Sequence, residues 1–518
     1  MDREANHKQI ILEEWADSMS TMLGCVDVEN VETCSIYLVS NQLRKSKAEA
    51  YMPQVVSIGP LHQGKRMELQ HMEKIKWRCL MHFLSRAKID PREALMKCGR
   101  HLLNLDEVVR ASYSVDDLGF NSSNLAKIMV LDGCFLLELL ISASPELDNR
   151  IQSSLSDSSP GARVIRWEKV LSDLTMLENQ IPLVVLHVLS CALFPEVFPR
   201  KGSNRLIQEL ALSILGYNYG TLGSISQEEL KVFHFLELVH ASIDKEKVKD
   251  RMKEDSGIHI ENGEDKRVTH RKVKLDRCAT RLQAAGVTIE GTNDAQRDHS
   301  NIAAMTRFDL RVKFSDGKLE IPQLRITETT EAKWRNFIAW EVNKNMVEKH
   351  NGEIAISEAM NDAGIRFHFL CYAWFFQGLI CSVHDVRVLL DRGVISVALD
   401  KEGKRVKSDK DLVDLFRKMT EGISESDVEE TGIDPWIGEV ILKLNSYPST
   451  LSATGRSRIT WHIFRGNLTS FWYNWRHSFR VLRRDYIPTR WKLIAVLAAA
   501  AGLILTALQT AFSVPRRK

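Results

Sequence analysis

The chain has 518 residues, of which 44% are hydrophobic and 26% are charged, and its formal net charge is +3. This balance supplies a large core and excludes a chain that is disordered along most of its length. Near-neutrality gives no general attraction to nucleic acid, so we expect no nucleic-acid partner. The nine cysteines are scattered and include no Cys-x-x-Cys pair, which favours a reduced, cytosol-facing protein over a disulfide scaffold.

The first half of the chain carries mainly helical patterns. Residues 1–33 have no apolar core of a signal peptide and are interpreted as an N-terminal extension. Met67 to Arg86 has apolar residues near a 3.6-residue period, which predicts an amphipathic helix. Leu125 to Ser142 is almost continuously apolar and predicts a buried helix interrupted at Asp132-Gly133. Two further helices are predicted, over Val164–Leu177 and from Pro182 to about Leu193.

The second half adds helices and a few strand signals. Helices are predicted over Gln227–His240, Trp334–Glu348, Gly364–Ile380 and His384–Asp391. Phe308–Phe314 and Lys318–Ile326 alternate apolar and polar residues around Ser315-Asp316-Gly317, which predicts a hairpin. Pro145–Gly161 is predicted to be a surface loop, and residues 245–274 a charged linker. The predicted fold is mainly α, a helical globular domain over residues 34–460 with a small β-hairpin.

The C-terminus carries the strongest physical signal. Leu493–Val514 comprises 22 residues without a charge, and as a helix it would be about 33 Å long, enough for the hydrocarbon layer. More basic residues precede this segment than follow it in the short basic tail at 515–518. Because the more basic flank of a membrane helix stays in the cytosol, we expect the bulk of the chain to be cytosolic. We therefore predict a single-pass tail anchor, without resolving which membrane holds it. The alternative is a buried helix of a soluble core.

Residues 461–492, just before this segment, interleave aromatic and basic side chains. Aromatic rings favour the headgroup layer and arginines favour anionic lipid, which predicts a juxtamembrane segment in contact with membrane lipid. The alternative is a last helix packed on the domain with its basic face in water. The candidate membrane-interface residues are Trp472, Trp475, Arg483, Arg484 and Trp491.

Small and polar residues share one face of the predicted anchor. Ala498, Gly502 and Thr506 recur every four residues, and Gln509 continues that face. Small residues let helices approach closely, and a glutamine in lipid seeks a hydrogen-bond partner, so self-association of the anchor is a hypothesis. The alternative is that alanine and glycine simply fill an apolar run.

Polar residues in apolar settings are the candidates for chemistry. They are Asp132, Glu138, Asp173, Glu178, Asn179 and Gln180. Two carboxylates held apart can perform acid–base catalysis. A structural role is favoured instead, with Asp132 capping the helix it opens and Asn179 and Gln180 bonded to helix ends around Pro182. The histidines lack zinc-site spacing, and no nucleophile elbow, phosphate loop or dinucleotide-binding motif occurs, so we predict no catalytic residue, cofactor or metal.

Several motifs then occur in an order that resembles a known plant family, "domain of unknown function 247". They are CSIYLVSNQLR (34–44), AYMPQVVSIGPLHQGK (50–65), HMEKIKWRCLMHFLSR (71–86), MVLDGCFLLELL (129–140), DLTMLENQIPLVVL (173–186), LQAAGV (282–287), LEIPQLRITETTEAKWRNFIAWE (319–341) and LTALQTAFSV (505–514). Leu38-Val39-Ser40 stands where the family usually has Arg-Val-Pro, and Leu61 and Gln63 replace a common Tyr and His. These departures indicate a diverged member.

The resemblance implies a helical, single-pass membrane protein of a flowering plant with no established catalytic residues. It also implies, more weakly, a role in recognition, because some relatives are implicated in pollen–stigma recognition and others in reproductive development. We therefore predict a membrane-tethered, non-catalytic protein whose soluble domain binds an unidentified protein partner in recognition or signalling. The alternative is a hydrolase or transferase that uses Asp132 and Glu178 in a helical pocket.

Overall fold

A computed structural model describes residues 34–151, 155, 167–200, 202–217, 232–243, 274–292, 307–351, 366–400, 402–423 and 434–447. The chain divides into two compact units. The first comprises Met1–Leu282 and Thr288–Tyr447, and it contains nearly every described residue. The second comprises Gln283–Val287 and Pro448–Lys518, of which only residues 283–287 are described.

The N-terminal part of the first unit is built from helices around one central helix. The helices are α1 (Asn41–Ser46), α2 (Gln70–Arg86), α3 (Pro91–Asn104), α4 (Asp106–Ala111), α5 (Ser122–Ser142), α6 (Pro145–Ile151), α7 (Trp167–Asp173), α8 (Leu183–Leu193), α9 (Ser203–Ile214) and α10 (235–243). The central helix, α5, packs against α2, α3, α6, α8 and α9. Neighbours on all sides explain why its sequence is apolar almost throughout.

The C-terminal part combines helices with short strands. In chain order these are α11 (Ala279–Ala284), β1 (Thr288–Thr292), β2 (Lys313–Ser315), β3 (Lys318–Pro322), β4 (Leu324–Ile326), α12 (Thr330–Asn351), α13 (His368–Leu379), α14 (Val383–Asp391), β5 (Ile395–Val397), α15 (Asp409–Lys418) and α16 (Pro435–Ser446). Buried aromatic rings fill the space between α12, α13 and α15. The rings of Phe337 and Phe369 stack with centroids 4.2 Å apart, and those of Phe376 and Phe416 stack at 5.1 Å.

The strands form two small sheets. The sequence predicted only one part of them, the hairpin. That hairpin is confirmed: β2 and β3 pair antiparallel across Asp316 and Gly317, which have φ values of 49° and 76°. The rest of the prediction for this region was incomplete, because β3 also pairs parallel with β1 and β4 pairs parallel with β5. Of the predicted strand Phe308–Phe314, only its last two residues lie in β2.

The predicted interruption of the buried helix at Asp132-Gly133 was wrong, because α5 runs continuously through both residues. A β-carbon on Gly133 would lie 2.5 Å from Cδ1 of Leu189 in α8. The glycine therefore serves close helix–helix packing and does not mark a break. The predicted surface loop Pro145–Gly161 was also partly wrong, because it begins with α6.

Other predictions fall on residues that the structure does not describe. The predicted linker at 245–274 lies almost wholly outside the described residues, and the segments 461–492 and 493–514 lie entirely outside them. Among the helices that are described, none alone combines the length and apolar character needed to cross a bilayer. Within the described ranges, one bent pair of helices, α13 and α14, meets that test when the two are taken together.

Candidate functional site

Asp132 lies in the middle of α5 and bonds to two other parts of the chain. Its Oδ1 is 2.6 Å from Nζ of Lys76 in α2, and its Oδ2 accepts a 2.8 Å hydrogen bond from the backbone N–H of Gly59. Both side chains of the ion pair are almost completely buried. Lys76 also donates to the Ser57 carbonyl and to Glu73. The predicted capping role of Asp132 was wrong, because Asn121 caps this helix.

Asp173, the last residue of α7, holds three consecutive backbone N–H groups. Its Oδ2 accepts from Gln54, Val55 and Val56 at 3.1, 2.7 and 2.9 Å. Burial raises the pKa of Asp173 to about 6, although these hydrogen bonds oppose the shift by favouring the charged form. The carboxylate therefore fixes the path of residues 54–56, which form no helix or strand.

Glu178 anchors the N-terminal segment of the described chain. Its Oε1 accepts a 2.8 Å hydrogen bond from the N–H of Val39 and an ion-pair contact from Arg44 of α1. Its Oε2 lies 3.5 Å from Nε2 of the buried His62. Burial, together with Lys65, Arg44 and Arg66, lowers the pKa of His62 to about 4. We conclude that this imidazole is neutral near pH 7.

Asn179 and Gln180 complete the same buried region. Oδ1 of Asn179 accepts from the N–H of Ile58 at 2.7 Å, and its Nδ2 donates to the carbonyls of Val56 and Asp173 at 3.0 and 2.9 Å. Nε2 of Gln180 donates to the carbonyls of Leu174 and Met176 at 2.7 and 2.8 Å. Both amides thus bond to backbone groups of irregular segments and, in the case of Asp173, to the end of α7.

These side chains therefore share one task, which is to bond to backbone groups that lie outside the helices and strands. Buried backbone N–H and C=O groups need partners, and residues 54–59 find them in Asp132, Asp173 and Asn179 instead of in a sheet or helix. We call this set the loop-clamp cluster, formed by Lys76, Asp132, Asp173, Glu178, Asn179 and Gln180. Glu138, the remaining candidate, lies apart from it and pairs with Arg86 of α2.

Two concave regions of the described structure share Tyr217, Arg307 and Phe308 in their walls, and neither wall includes Asp132 or Glu178. Neither region is therefore the predicted helical pocket around these carboxylates. The arrangement can position and rigidify a loop.

Sequence reasoning missed one member of the loop-clamp cluster. Lys76 interrupts the apolar face of α2 next to Ile75 and Cys79, and this buried lysine was a signal that a carboxylate partner exists. A separate group was also missed, in which Cys278, Cys381 and Asp385 place potential metal-ligand atoms within 4.8 Å of one another. These three residues lie too far apart along the chain to form a sequence motif.

Two sets of predicted residues lie outside the described residues. They are the candidate interface residues Trp472, Trp475, Arg483, Arg484 and Trp491, and the anchor residues Ala498, Gly502, Thr506 and Gln509.

Comparison with known proteins places the chain among plant proteins. The UPF0481 protein At3g47200 of Arabidopsis thaliana is 27% identical over 321 residues, which cover 60% of this chain and 61% of the relative. The putative UPF0481 protein At3g02645 of the same plant is 23% identical over 562 residues, covering 93% of this chain and 90% of the relative. No solved structure matches. The profile of DUF247, described as plant protein of unknown function, matches residues 36–505, and the chain therefore belongs to this family.

Proposed function

We propose that the chain is a membrane-tethered binding protein without catalytic activity, and that one face of α2 and α3 recognises a protein partner. The observation that carries the proposal is a concentration of exposed apolar side chains. Of the ten large hydrophobic residues that are exposed in the described part, five lie on these two helices. They are Trp77, Met81, Leu95, Met96 and Leu103, and we call them the α2–α3 face.

Three side chains of the α2–α3 face are more than half exposed to solvent. Trp77 is 57% exposed and Met81, one turn further along α2, is 64% exposed, while Met96 on α3 is 59% exposed. Single exposed apolar residues are normal on a soluble protein, but a group of them that includes Trp and Met is typical of an interface. Both α2 and α3 also pack against α5, so these side chains are presented by packed helices.

Charge indicates the kind of partner. Exposed cations on the two helices are Lys74, Arg78, Arg92 and Arg100, against one exposed acid, Glu93. Opposite potentials on two surfaces speed their encounter and suppress wrong partners. We therefore propose a partner whose surface carries apolar side chains bordered by Asp and Glu.

The loop-clamp cluster supports a binding role over an enzymatic one. A general acid or base needs a free position facing substrate. The oxygens of Asp132 and Glu178 instead bond to Lys76, Gly59, Val39 and Arg44 inside the protein. The alternative hydrolase or transferase at these carboxylates therefore has less support.

The tether is proposed from the sequence of residues 493–514, an uncharged stretch preceded by a basic and aromatic segment. We propose that it spans the membrane once, with the bulk of the chain in the cytosol and residues 461–492 in contact with lipid. Self-association of this span through Gly502 and Gln509 is part of the proposal. Replacing both by Leu should shift the full-length protein to smaller oligomers in membranes, and unchanged oligomers would contradict self-association.

Photo-crosslinking tests the partner. A benzophenone amino acid replaces Trp77 or Met96 in the full-length protein in plant tissue, and Leu399, which is 63% exposed outside the α2–α3 face, serves as the matched control position. We expect one acidic protein to be linked from positions 77 and 96 but not from 399. The purified partner should then bind at least about tenfold more weakly to the Trp77→Ala, Met81→Ala double variant than to Leu399→Ala. Adducts to lipid or to a second copy of the chain would contradict the proposal.

Membrane extraction tests the tether separately. Full-length protein should resist alkaline carbonate and be released only by detergent, whereas a chain that ends at Lys492 should be released without detergent. Release of the full-length protein by carbonate would rule out the tether. Partner binding by the α2–α3 face would not be affected by that result.

A further inference from the structure

Three side chains outside the loop-clamp cluster place soft and hard ligand atoms together. Cys278 directly precedes α11, Cys381 lies in the turn between α13 and α14, and Asp385 lies in the first turn of α14. Their two sulfur atoms and a carboxylate oxygen are all within 4.8 Å of one another. Within the described ranges, the structure contains no other group of three or more such ligands.

We propose that Cys278, Cys381 and Asp385 bind a divalent metal ion of the Zn²⁺ class, with water as the fourth ligand. In a tetrahedral zinc site, metal–sulfur bonds of about 2.3 Å and metal–oxygen bonds of about 2.1 Å place neighbouring ligand atoms roughly 3.6–3.8 Å apart. The distances between the three ligand atoms therefore need to shorten by only about 1 Å or less, which rotation of the side chains can provide.

The carboxylate is already held in position by neighbouring donors. Asp385 accepts hydrogen bonds from the N–H groups of Thr280 and Ser382, both at 2.9 Å, and from the N–H of Cys381 at 3.2 Å. The hydroxyls of Thr280 and Ser382 also donate to it, at 2.7 and 2.8 Å. Hydroxyls rotate, so these two can turn away and leave oxygen lone pairs for a metal, while the backbone donors keep the carboxylate oriented.

The ligand set selects the class of metal. Two thiolates beside a carboxylate would bring three negative charges together, and a divalent cation offsets most of that repulsion while two thiol protons are released to solvent. Thiolates favour zinc over magnesium or calcium, which prefer oxygen ligands. Cys278 and Asp385 are buried, whereas Cys381 is exposed, which gives the ion an entry path and leaves room for water.

Cobalt titration of the reduced full-length protein tests the site. After removal of metal by a chelator, we expect one equivalent of Co²⁺ to produce a thiolate-to-cobalt charge-transfer band and the intense visible bands of tetrahedral cobalt, and Zn²⁺ to abolish both. Cys381→Ala removes an exposed ligand and should weaken cobalt binding by more than about 100-fold, since loss of a mere neighbouring partner already costs 10–100-fold. Cys34→Ser, which changes a half-buried thiol elsewhere, should leave the titration unchanged.

Two variants separate binding from folding. Circular dichroism of Cys381→Ala should match that of the unchanged protein, because this side chain is exposed. Thr280→Val removes a hydroxyl that must turn away from Asp385 before the metal binds, so cobalt should bind this variant at least as tightly as the unchanged protein. The proposal is overturned if the charge-transfer band is absent, or if it persists in Cys381→Ala. It is equally overturned if the reduced protein binds no cobalt and the two cysteines only form a disulfide in air.

Discussion

A β-carbon placed on Gly59 would lie 2.4 Å from the backbone carbonyl oxygen of Gln180. Gly59 also has a φ of +77°, a conformation that other residues rarely adopt, and its N–H donates to Asp132. The same Gln180 carbonyl accepts a 2.9 Å hydrogen bond from the hydroxyl of Tyr113. The backbone at Gly59 is therefore packed so closely against the segment after α7 that no side chain fits at position 59.

Gly59→Ala should destabilise the protein by at least about 3 kcal/mol, because the left-handed conformation costs roughly 1–2 kcal/mol and the contact with a backbone oxygen adds to it. Gly64→Ala is the matched control, since Gly64 has a φ of +70° and no atom within 4 Å of an added β-carbon. Urea unfolding followed by tryptophan fluorescence measures both. Equal losses in the two variants would show that the contact with Gln180 is unimportant.

The buried Lys76–Asp132 pair predicts a second effect. Lys76→Met or Asp132→Asn alone should reduce the free energy of unfolding by about 3–5 kcal/mol, because each leaves a buried group without its partner. The double variant should lose clearly less than the sum of the two single losses. Lys88→Met removes an exposed pair with Glu196 and should have no measurable effect. Additive losses in the cycle would mean that the two charges are not coupled.

Glu341 predicts a third effect, at the start of α13. Its buried carboxylate accepts hydrogen bonds from the N–H groups of Phe369 and Leu370 at 2.8 and 3.0 Å. Glu341→Leu leaves both donors without this acceptor and should cost about 2–4 kcal/mol. Glu439→Leu, at an exposed position of α16, is the control and should be nearly neutral. Unfolding titrations compare them, and a loss in Glu341→Leu no larger than in the control would refute the role.

The helical part of the fold was largely predictable from the sequence. Periodicity identified α2, the apolar run identified α5, and the residues Asp316-Gly317 identified the hairpin, because each depends on neighbours a few residues away. The parallel pairing of β1 with β3 was not predictable in this way. Its two strands are separated by residues 293–317, and strands of only five residues carry little pattern.

The candidate site was also predictable only where the signal is local. Sequence identified Asp132, Asp173, Glu178, Asn179 and Gln180 as polar residues in apolar surroundings, but it could not name their partners. For all but Gln180 these include backbone groups of residue 39 or of residues 54–59. An Asp-Gly pair usually indicates a turn, and only the contact of Gly133 with Leu189 of α8 shows why it stands inside a helix. Long-range contacts of this kind leave no local signal.

The last prediction concerns acid stability and His62. Burial lowers the pKa of His62 to about 4, below its unfolded value of about 6.5. The neutral imidazole is therefore favoured in the folded state, so its contribution is fully present above pH 6.5 and is lost as the pH falls toward 4. His62→Gln should remove about 3 kcal/mol of the pH dependence of stability between these values. His71→Gln, at an exposed position of α2, should leave the curve unchanged. Unfolding titrations at pH 7, 5.5 and 4 measure the pH dependence of stability in each variant.

The opposite outcome is expected if the Glu178 carboxylate, 3.5 Å away, instead holds a charged imidazolium. The contribution of His62 to stability would then grow as the pH fell, and the His62→Gln curve would be steeper than that of the unchanged protein.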